Sequence, residues 1–274
     1  MLTNEEPLVS VIMATYNEPV DIIGKAVKSI LNQTFQDFEL LILDDSTNQE
    51  SISYIDSLNI YPKVKVIRKP ERMGLSGARN VGIQSARGKY IAIMDADDIS
   101  VPERFELQVN YLEAHSDCYV LGGQINIIDE KDRVISQRHY PLKGIKLRLF
   151  AAYRNPLAHP TVMFRKELCD KGFIYDETLE MSEDLDLWLR IMNADFKIEN
   201  LESTLINYRV NESFTNKRSS QKQKNYMADV RNKNWASNHL IFSVASSVAG
   251  ILFRIIPSES LKLFYNKENR KGKR

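Results

Sequence analysis

Three observations predict an α/β fold built on a largely parallel sheet. Short apolar runs alternate with longer amphipathic stretches over about 115 residues. The apolar runs are short enough, and bounded by enough turn residues, to be buried strands rather than helices. Three of the first four runs end in polar clusters, where parallel sheets place their ligands.

The elements follow in order. Residues 8–14 (LVSVIMA) are the first strand, and Ile22, Ile23, Ala26, Val27, Ile30 and Leu31 give residues 18–32 helical spacing. The second strand, 38–43, ends on Asp44-Asp45-Ser46; a short helix at 52–58 and a third strand at 64–67 come next. Residues 74–86 read as a loop followed by a helix. The fourth strand, 90–94, ends on Asp95-Ala96-Asp97-Asp98. Pro102 then opens a helix to about His115, a position where its missing N–H is not needed. After a strand at 119–127 the pattern loosens, with a further strand at 161–164, a helix at 183–194 capped by Ser182, and two strands at 196–200 and 205–210.

Composition narrows the class. The chain has 274 residues, 43 % hydrophobic and 27 % charged, which excludes wholesale disorder, collagen-like repeats and a polytopic membrane protein. Its net charge of +1 is unevenly divided. Residues 1–216 hold 24 bases and 33 acids, a net of −9, whereas residues 217–274 hold 13 bases and 3 acids, a net of +10. Cys118 and Cys169 are too few for a disulfide framework, and polar residues follow Met1, so a cytoplasmic setting is the expectation.

The acids at the strand ends carry the chemistry. Asp44-Asp45-Ser46 alone serves equally well as a turn former or helix cap. Asp95, Asp97 and Asp98 repel one another, and a hard cation would relieve that cost. Mg²⁺ or Mn²⁺ typically takes one or two carboxylates and completes its shell with phosphate oxygens, so a divalent metal presented to a diphosphate is the local reading. No Gly-x-x-x-x-Gly-Lys-Ser/Thr loop occurs, and Ala14-Thr15-Tyr16-Asn17 replaces a Gly-x-Gly-x-x-Gly turn. Tyr16 offers a flat surface for a base and Asp45 an acceptor for a base N–H; either could be structural.

Several motifs together resemble the family 2 inverting glycosyltransferases, most of all the short bacterial members that build capsular, exopolysaccharide or O-antigen units. They are Thr15-Tyr16-Asn17-Glu18, Gln33-Thr34-Phe35-Gln36-Asp37-Phe38-Glu39, Asp44-Asp45-Ser46, Gly77-Ala78-Arg79-Asn80-x-Gly82, Gly88-x-Tyr90-Ile91-x-x-x-Asp95-Ala96-Asp97-Asp98, Pro102-Glu103-Arg104 and Ser182-Glu183-Asp184-Leu185-Asp186-Leu187-Trp188. The resemblance runs from about Pro7 to Val210. It implies a GT-A fold and a nucleotide-sugar donor; the expected donor is UDP-linked, and the expected acceptor is a saccharide or a lipid-linked saccharide. Donor contacts would come from Thr15, Tyr16, Glu18, Asp45, Arg79 and Asp95. Within that set Tyr16 stacks on the base, Asp45 reads its N–H, and Arg79 orients the donor side. Asp97 would be the principal metal ligand with Asp95 beside it, and Asp184 the catalytic base with Glu183 beside it. Asn211 stands where many relatives carry a histidine after Tyr-Arg, so no phosphate or metal contact is carried over there.

Around that set, Trp188 fits an acceptor floor or a core position, and His159 an acceptor wall or a satisfied loop histidine. A sugar-phosphate nucleotidyltransferase would normally show a Gly-rich triphosphate loop after the first strand, which is missing; a silent saccharide-binding protein would not need the intact acid clusters.

The expected organisation is a catalytic domain over residues 1–215 and a basic helical extension over 216–274. Residues 240–253 form a 14-residue apolar run, short of the roughly 20 that a spanning helix needs. On a helix over 239–256, His239, Ser243, Ser246, Ser247, Gly250 and Arg254 fall on one side. That helix fits either packing on the domain or lying in the inner-leaflet interface, with the basic residues drawn to anionic lipid. Nucleic acid is not expected as a partner, since no binding module is recognisable.

Overall fold

The structure, a computed structural model, describes residues 6–210, 221–235 and Val244. The run at 240–253, Val244 apart, and most of the candidate interface helix 239–256 lie outside the described residues. Among the described residues no helix is long and apolar enough to cross a membrane.

The first half follows the predicted alternation. Strand β1 (Val9–Thr15) leads to helix α1 (Val20–Leu31), β2 (Phe38–Asp44) to α2 (Gln49–Ser57), and β3 (Val64–Ile67) to α3 (Gly74–Ser85). Strand β4 (Tyr90–Asp95), a two-residue β5 (Ile99–Ser100) and α4 (Arg104–Ala114) come next. The second half holds β6 (Cys118–Ile128), β7 (Val134–Arg138), α5 (Gly144–Ala151), β8 (Met163–Arg165), α6 (Glu167–Asp170), α7 (Glu183–Asn193) and β9 (Lys197–Arg209). Helix α8 (Gln221–Trp235) closes the described chain.

Among the described residues the strands make one sheet in the order β3-β2-β1-β4-β8-β6-β9-β5, with β7 beside β6. Strands β3, β2, β1 and β4 run parallel, and β8 is antiparallel to both β4 and β6. Alternation along β1 sends Val9, Val11 and Met13 to one face, against Ile23, Ala26, Val27 and Ile30 of α1. Ile12 goes to the other face, with Leu41, Leu43, Ile91 and Ile93, and meets Ala78 and Ile83 of α3. Each such fully buried aliphatic side chain contributes roughly 1.5–3 kcal/mol, which is why these strands read as continuous apolar runs. Close packing of α3 requires Gly82: a Cβ there would lie 2.7 Å from Ile12 Cγ2 and 2.9 Å from Leu43 Cδ2.

Register positions the site. Thr15 pairs with Asp44 and Ala14 with Asp95, so the polar ends of β1, β2 and β4 lie at one level. Arg104, fully buried, donates from Nη2 to the carbonyls of Ile93 (2.8 Å) and Val162 (3.3 Å), fastening β4 to the turn before β8. Burial lowers this guanidinium to about 9, against the opposing pull of Asp98 and Asp95.

Three local expectations change. The strands expected at 196–200 and 205–210 are one strand, β9, whose pairing with β6 shifts register near Gly122 and Gln124; the bulge absorbs the polar stretch that looked like a break. Helix α3 starts at Gly74 itself, with no preceding loop inside the segment. Ser182 precedes α7 but does not cap it with its side chain.

Helix α8 is docked on the domain. Val230 and Trp235 are buried in the same core as Leu185, Trp188 and Ile191 of α7. Asn234 Nδ2 donates to Asp186 Oδ1 (3.0 Å), Asn193 Nδ2 to the Asn234 carbonyl (2.8 Å), and Arg231 Nε to the Ala151 carbonyl (2.8 Å).

Candidate functional site

The first corner of the site is the turn after β1. Asn17 takes a left-handed conformation (φ 61°), and its Oδ1 accepts from the backbone N–H groups of Thr47 (2.8 Å) and Asn48 (3.0 Å). That stitches the β1 turn to the β2 turn. Glu18 folds back, accepting from the Tyr16 N–H (2.6 Å) and from the Thr15 hydroxyl in a short contact. Tyr16 is 42 % exposed, with the Arg72 guanidinium 4.0 Å over its ring. Such exposed stacking is worth about 0.5–1 kcal/mol, enough to hold the ring as a platform. Asp45 accepts from the N–H groups of Met73 (3.1 Å) and Gly74 (2.7 Å), so it anchors the start of α3 beside that platform.

The second corner is the acid turn after β4. Asp95 receives Arg79 Nη2 at 3.2 Å and has His159 Nδ1 4.0 Å away. Asp97 is open to solvent on one side. Desolvation by the surrounding protein, then Asp95 and Glu18, pushes its carboxyl up to about 6. Asp98 turns inward: it is buried, its Oδ1 accepts from the Arg209 N–H (2.8 Å), and its Oδ2 has no hydrogen-bond partner among the described residues. Burial and its two neighbours raise Asp98 well above the usual carboxylate range. Asp95 and Asp97 therefore share one solvent-facing corner, with the Glu18 charge near enough to act on Asp97, and that like-charge repulsion fits a cation. Among the described residues no three His, Cys, Asp or Glu side chains converge as a finished cage. A metal here would be held by one or two carboxylates and need oxygens from its ligand.

The third corner is the start of α7. Ser182 is left-handed (φ 63°, ψ 24°), a conformation that costs a non-glycine residue about 1–3 kcal/mol and needs its surroundings to hold it. Glu183 Oε1 accepts from Arg79 Nη1 (2.7 Å). Asp184 Oδ2 accepts from Asn155 Nδ2 (2.5 Å) and its Oδ1 from the Leu185 N–H (2.7 Å). Arg79 is buried, and its charge is favoured by Asp95, Tyr175, Glu183 and Asp184 despite desolvation.

A cavity of about 350 Å³ joins the second and third corners. Asp95, His159, Asp184, Tyr140, Tyr153 and Lys224 of α8 are among the residues that line it. His159 both lines this cavity and is satisfied, since its Nε2 lies 2.9 Å from the Tyr175 hydroxyl. Trp188 is a core residue: fully buried, it packs against His159 and Phe164, not on the cavity surface.

Thus Thr15, Tyr16, Glu18 and Asp45 share the first corner; Asp95 and Asp97 share the second; Arg79 links Asp95 to Glu183 beside Asp184. Arg72, Asn155, Tyr175 and α8 complete the surroundings. Of these, only Asn155 stood in a recognisable stretch, Asn155-Pro156-x-x-His159-Pro160. The others reach the site through tertiary contacts that no local spacing encodes.

A mixed α/β sheet with acids at the carboxyl edge of its parallel strands and a cavity between two carboxylate groups fits a glycosyltransferase of the GT-A fold. The chain belongs to glycosyl transferase family 2, whose family model matches residues 10–173. An uncharacterized glycosyltransferase, MJ1057 of Methanocaldococcus jannaschii, is 37 % identical over 211 residues, 75 % of this chain and 72 % of the relative. The O-antigen biosynthesis glycosyltransferase WbnJ of Escherichia coli is 34 % identical over 218 residues, covering 77 % and 82 %. Two solved structures share the fold. Mannosyltransferase PcManGT from Pyrobaculum calidifontis, in complex with GDP-Man and Mn²⁺, superposes with TM-score 0.65 at 16 % identity, over 96 % of this chain and 81 % of that one. S. aureus TarS 1-349 in complex with UDP-GlcNAc does so with TM-score 0.62 at 18 % identity, over 93 % and 78 %. Family membership removes the ground for a nucleotidyltransferase.

Proposed function

We propose that this protein transfers a hexose, with inversion, from a UDP-sugar to a saccharide acceptor that is lipid-linked, in the assembly of a cell-surface polysaccharide, with the help of Mn²⁺ or Mg²⁺. The observation that carries the reading is that Asp95 and Asp184 line one cavity while Arg79 ties the donor-side acid to the turn carrying the acceptor-side acids. The polysaccharide setting is supported by the role that WbnJ's name states, and the donor class by the nucleotide sugars bound in the two solved relatives.

The chain's own groups divide the work. Tyr16, backed by Arg72, offers its face to the base, and Asp45 lies beside it to accept a ring N–H. Thr15 and Glu18 shape the turn under the nucleotide. Asp97, with Asp95, would hold the divalent ion, which supplies Lewis-acid stabilisation of the departing diphosphate. Asp184 takes the proton of the acceptor hydroxyl as the new oxygen–carbon bond forms at the anomeric centre and the bond to the diphosphate breaks on the opposite face. Glu183 is the weaker candidate for base because the buried Arg79 guanidinium already engages it. Asn155 orients Asp184 from the cavity wall.

A donor screen tests this directly. UDP-sugars and GDP-sugars are incubated with the protein and Mn²⁺, and hydrolysis to the nucleoside diphosphate is followed. Turnover of one or a few UDP-sugars is expected; a preference for GDP-sugars would replace the donor, and turnover unchanged by chelator would remove the metal.

A further inference from the structure

We infer that Gln223, on α8, is a positioning residue for the transfer step, holding the Ser182 turn from which Glu183 and Asp184 project. The inference rests on the reading of Asp184 as the base.

Ser182 is buried and left-handed, immediately before the two acids. A serine at the head of a helix ordinarily takes an extended backbone and spends its hydroxyl on the helix's own N–H groups. Here the hydroxyl makes no such bond and instead accepts from Gln223 Nε2 at 3.1 Å, 41 residues along the chain. The Ser182 carbonyl accepts from the Asp186 N–H at 3.0 Å, the bond that starts α7. One residue is therefore gripped from two sides, by α8 through its side chain and by α7 through its backbone. Relaxation of Ser182 into the right-handed region would rotate the peptide leading into Glu183 and Asp184 and swing both carboxylates.

Gln223 can impose that grip because its own helix does not float. The far end of α8 is held by Asn234 on Asp186 and by Asn193 on the Asn234 carbonyl, with Val230 and Trp235 buried between. Gln223 and Lys224 also line the cavity that Asp184 faces, so α8 forms part of the acceptor wall as well as its support. Both α8 and the Ser182 turn lie beyond residues 10–173, the stretch that the family model matches.

The experiment compares Gln223→Met, which keeps length and loses the bond, with Gln223→Glu, to which the Ser182 hydroxyl can donate. Lys222→Ala, which removes the solvent-exposed ion pair with Glu180 and a contact over the Tyr226 ring but not the Ser182 bond, is the control. The full chain is measured by thermal unfolding, by the thermal shift with UDP and Mn²⁺, by hydrogen exchange at the Asp186 amide, and by nucleotide-sugar hydrolysis. In Gln223→Met the melting point and UDP shift should stay near wild type while Asp186 exchange rises about fivefold or more. Its hydrolysis rate should fall about tenfold or more, because a slightly misplaced base is costly. Gln223→Glu should restore protection and most of the rate, with the active pH range moved upward by the added negative charge. Unchanged exchange in Gln223→Met would overturn the inference, as would a loss of rate matched by equal losses of melting point and UDP shift. If the wild type hydrolyses no nucleotide sugar, the functional reading fails, and the exchange measurement still decides whether Gln223 holds the turn.

Discussion

Arg79 and Glu183 are joined at 2.7 Å across 104 residues of chain, and the other arm of the same guanidinium reaches Asp95. A single buried cation thereby ties the carboxyl edge of β4 to the first turn of α7. Few pairings could do this, because the planar fork presents two donors at once in fixed geometry.

Replacing Arg79 by methionine should therefore damage both halves of the site. It leaves Glu183 and Asp95 without their shared partner, a loss of about 3–5 kcal/mol where a buried pair is broken. Arg79→Lys should recover part of the stability and little of the turnover, since one ammonium cannot bridge both acids. Thermal unfolding and donor hydrolysis read the two effects separately.

Asp184→Asn should bind UDP with Mn²⁺ as the wild type does and lose transfer by about 10²–10⁴-fold, the usual contribution of a general base. The substitution keeps the shape and the Asn155 neighbourhood. Retained turnover would move the base to another residue.

Asp97 gives a pH dependence with a definite sign. Its carboxyl is raised from 3.8 to about 6, so between those values the folded chain holds a proton that the unfolded chain has lost. Stability without metal should fall as pH rises through that window, and Mn²⁺, which takes the deprotonated form, should reverse the loss. The UDP shift in Mn²⁺ should accordingly be small near pH 5 and full near pH 7, by titration of one carboxylate about pH 6. Asp97→Ala should abolish both the Mn²⁺ dependence of the UDP shift and this pH dependence.

The basic segment 217–274, with a net charge of +10, should draw the protein to anionic vesicles. Truncation after residue 235 should release it while sparing α8. Sedimentation with phosphatidylglycerol liposomes at low and high salt measures this; a full-length chain that never sediments would end the membrane reading.

Much of the sheet's carboxyl edge was legible in the sequence because strands and strand ends are local features. The runs at 8–14, 38–43 and 90–94 became β1, β2 and β4 within a residue or two, and their trailing residues became the carboxyl edge. Asp98 shows where that legibility stops: three acids in four residues look alike in sequence, yet Asp98 turns inward to the Arg209 N–H while Asp97 faces solvent. Trp188 resolved the same way, into the core, because helical spacing alone gives no account of which neighbours surround a face.

Alternating apolar runs, turn chemistry and motif order established the α/β class, the family resemblance and the acids at the sheet edge, since each depends on residues within a few positions of one another. Only the folded chain brought Arg79 between Asp95 and Glu183, laid Arg72 over Tyr16, and set Gln223 against Ser182. Those contacts join segments 16 to 104 residues apart, and their existence depends on sheet register and helix docking, quantities fixed by the packing of the whole core and by no single stretch of it.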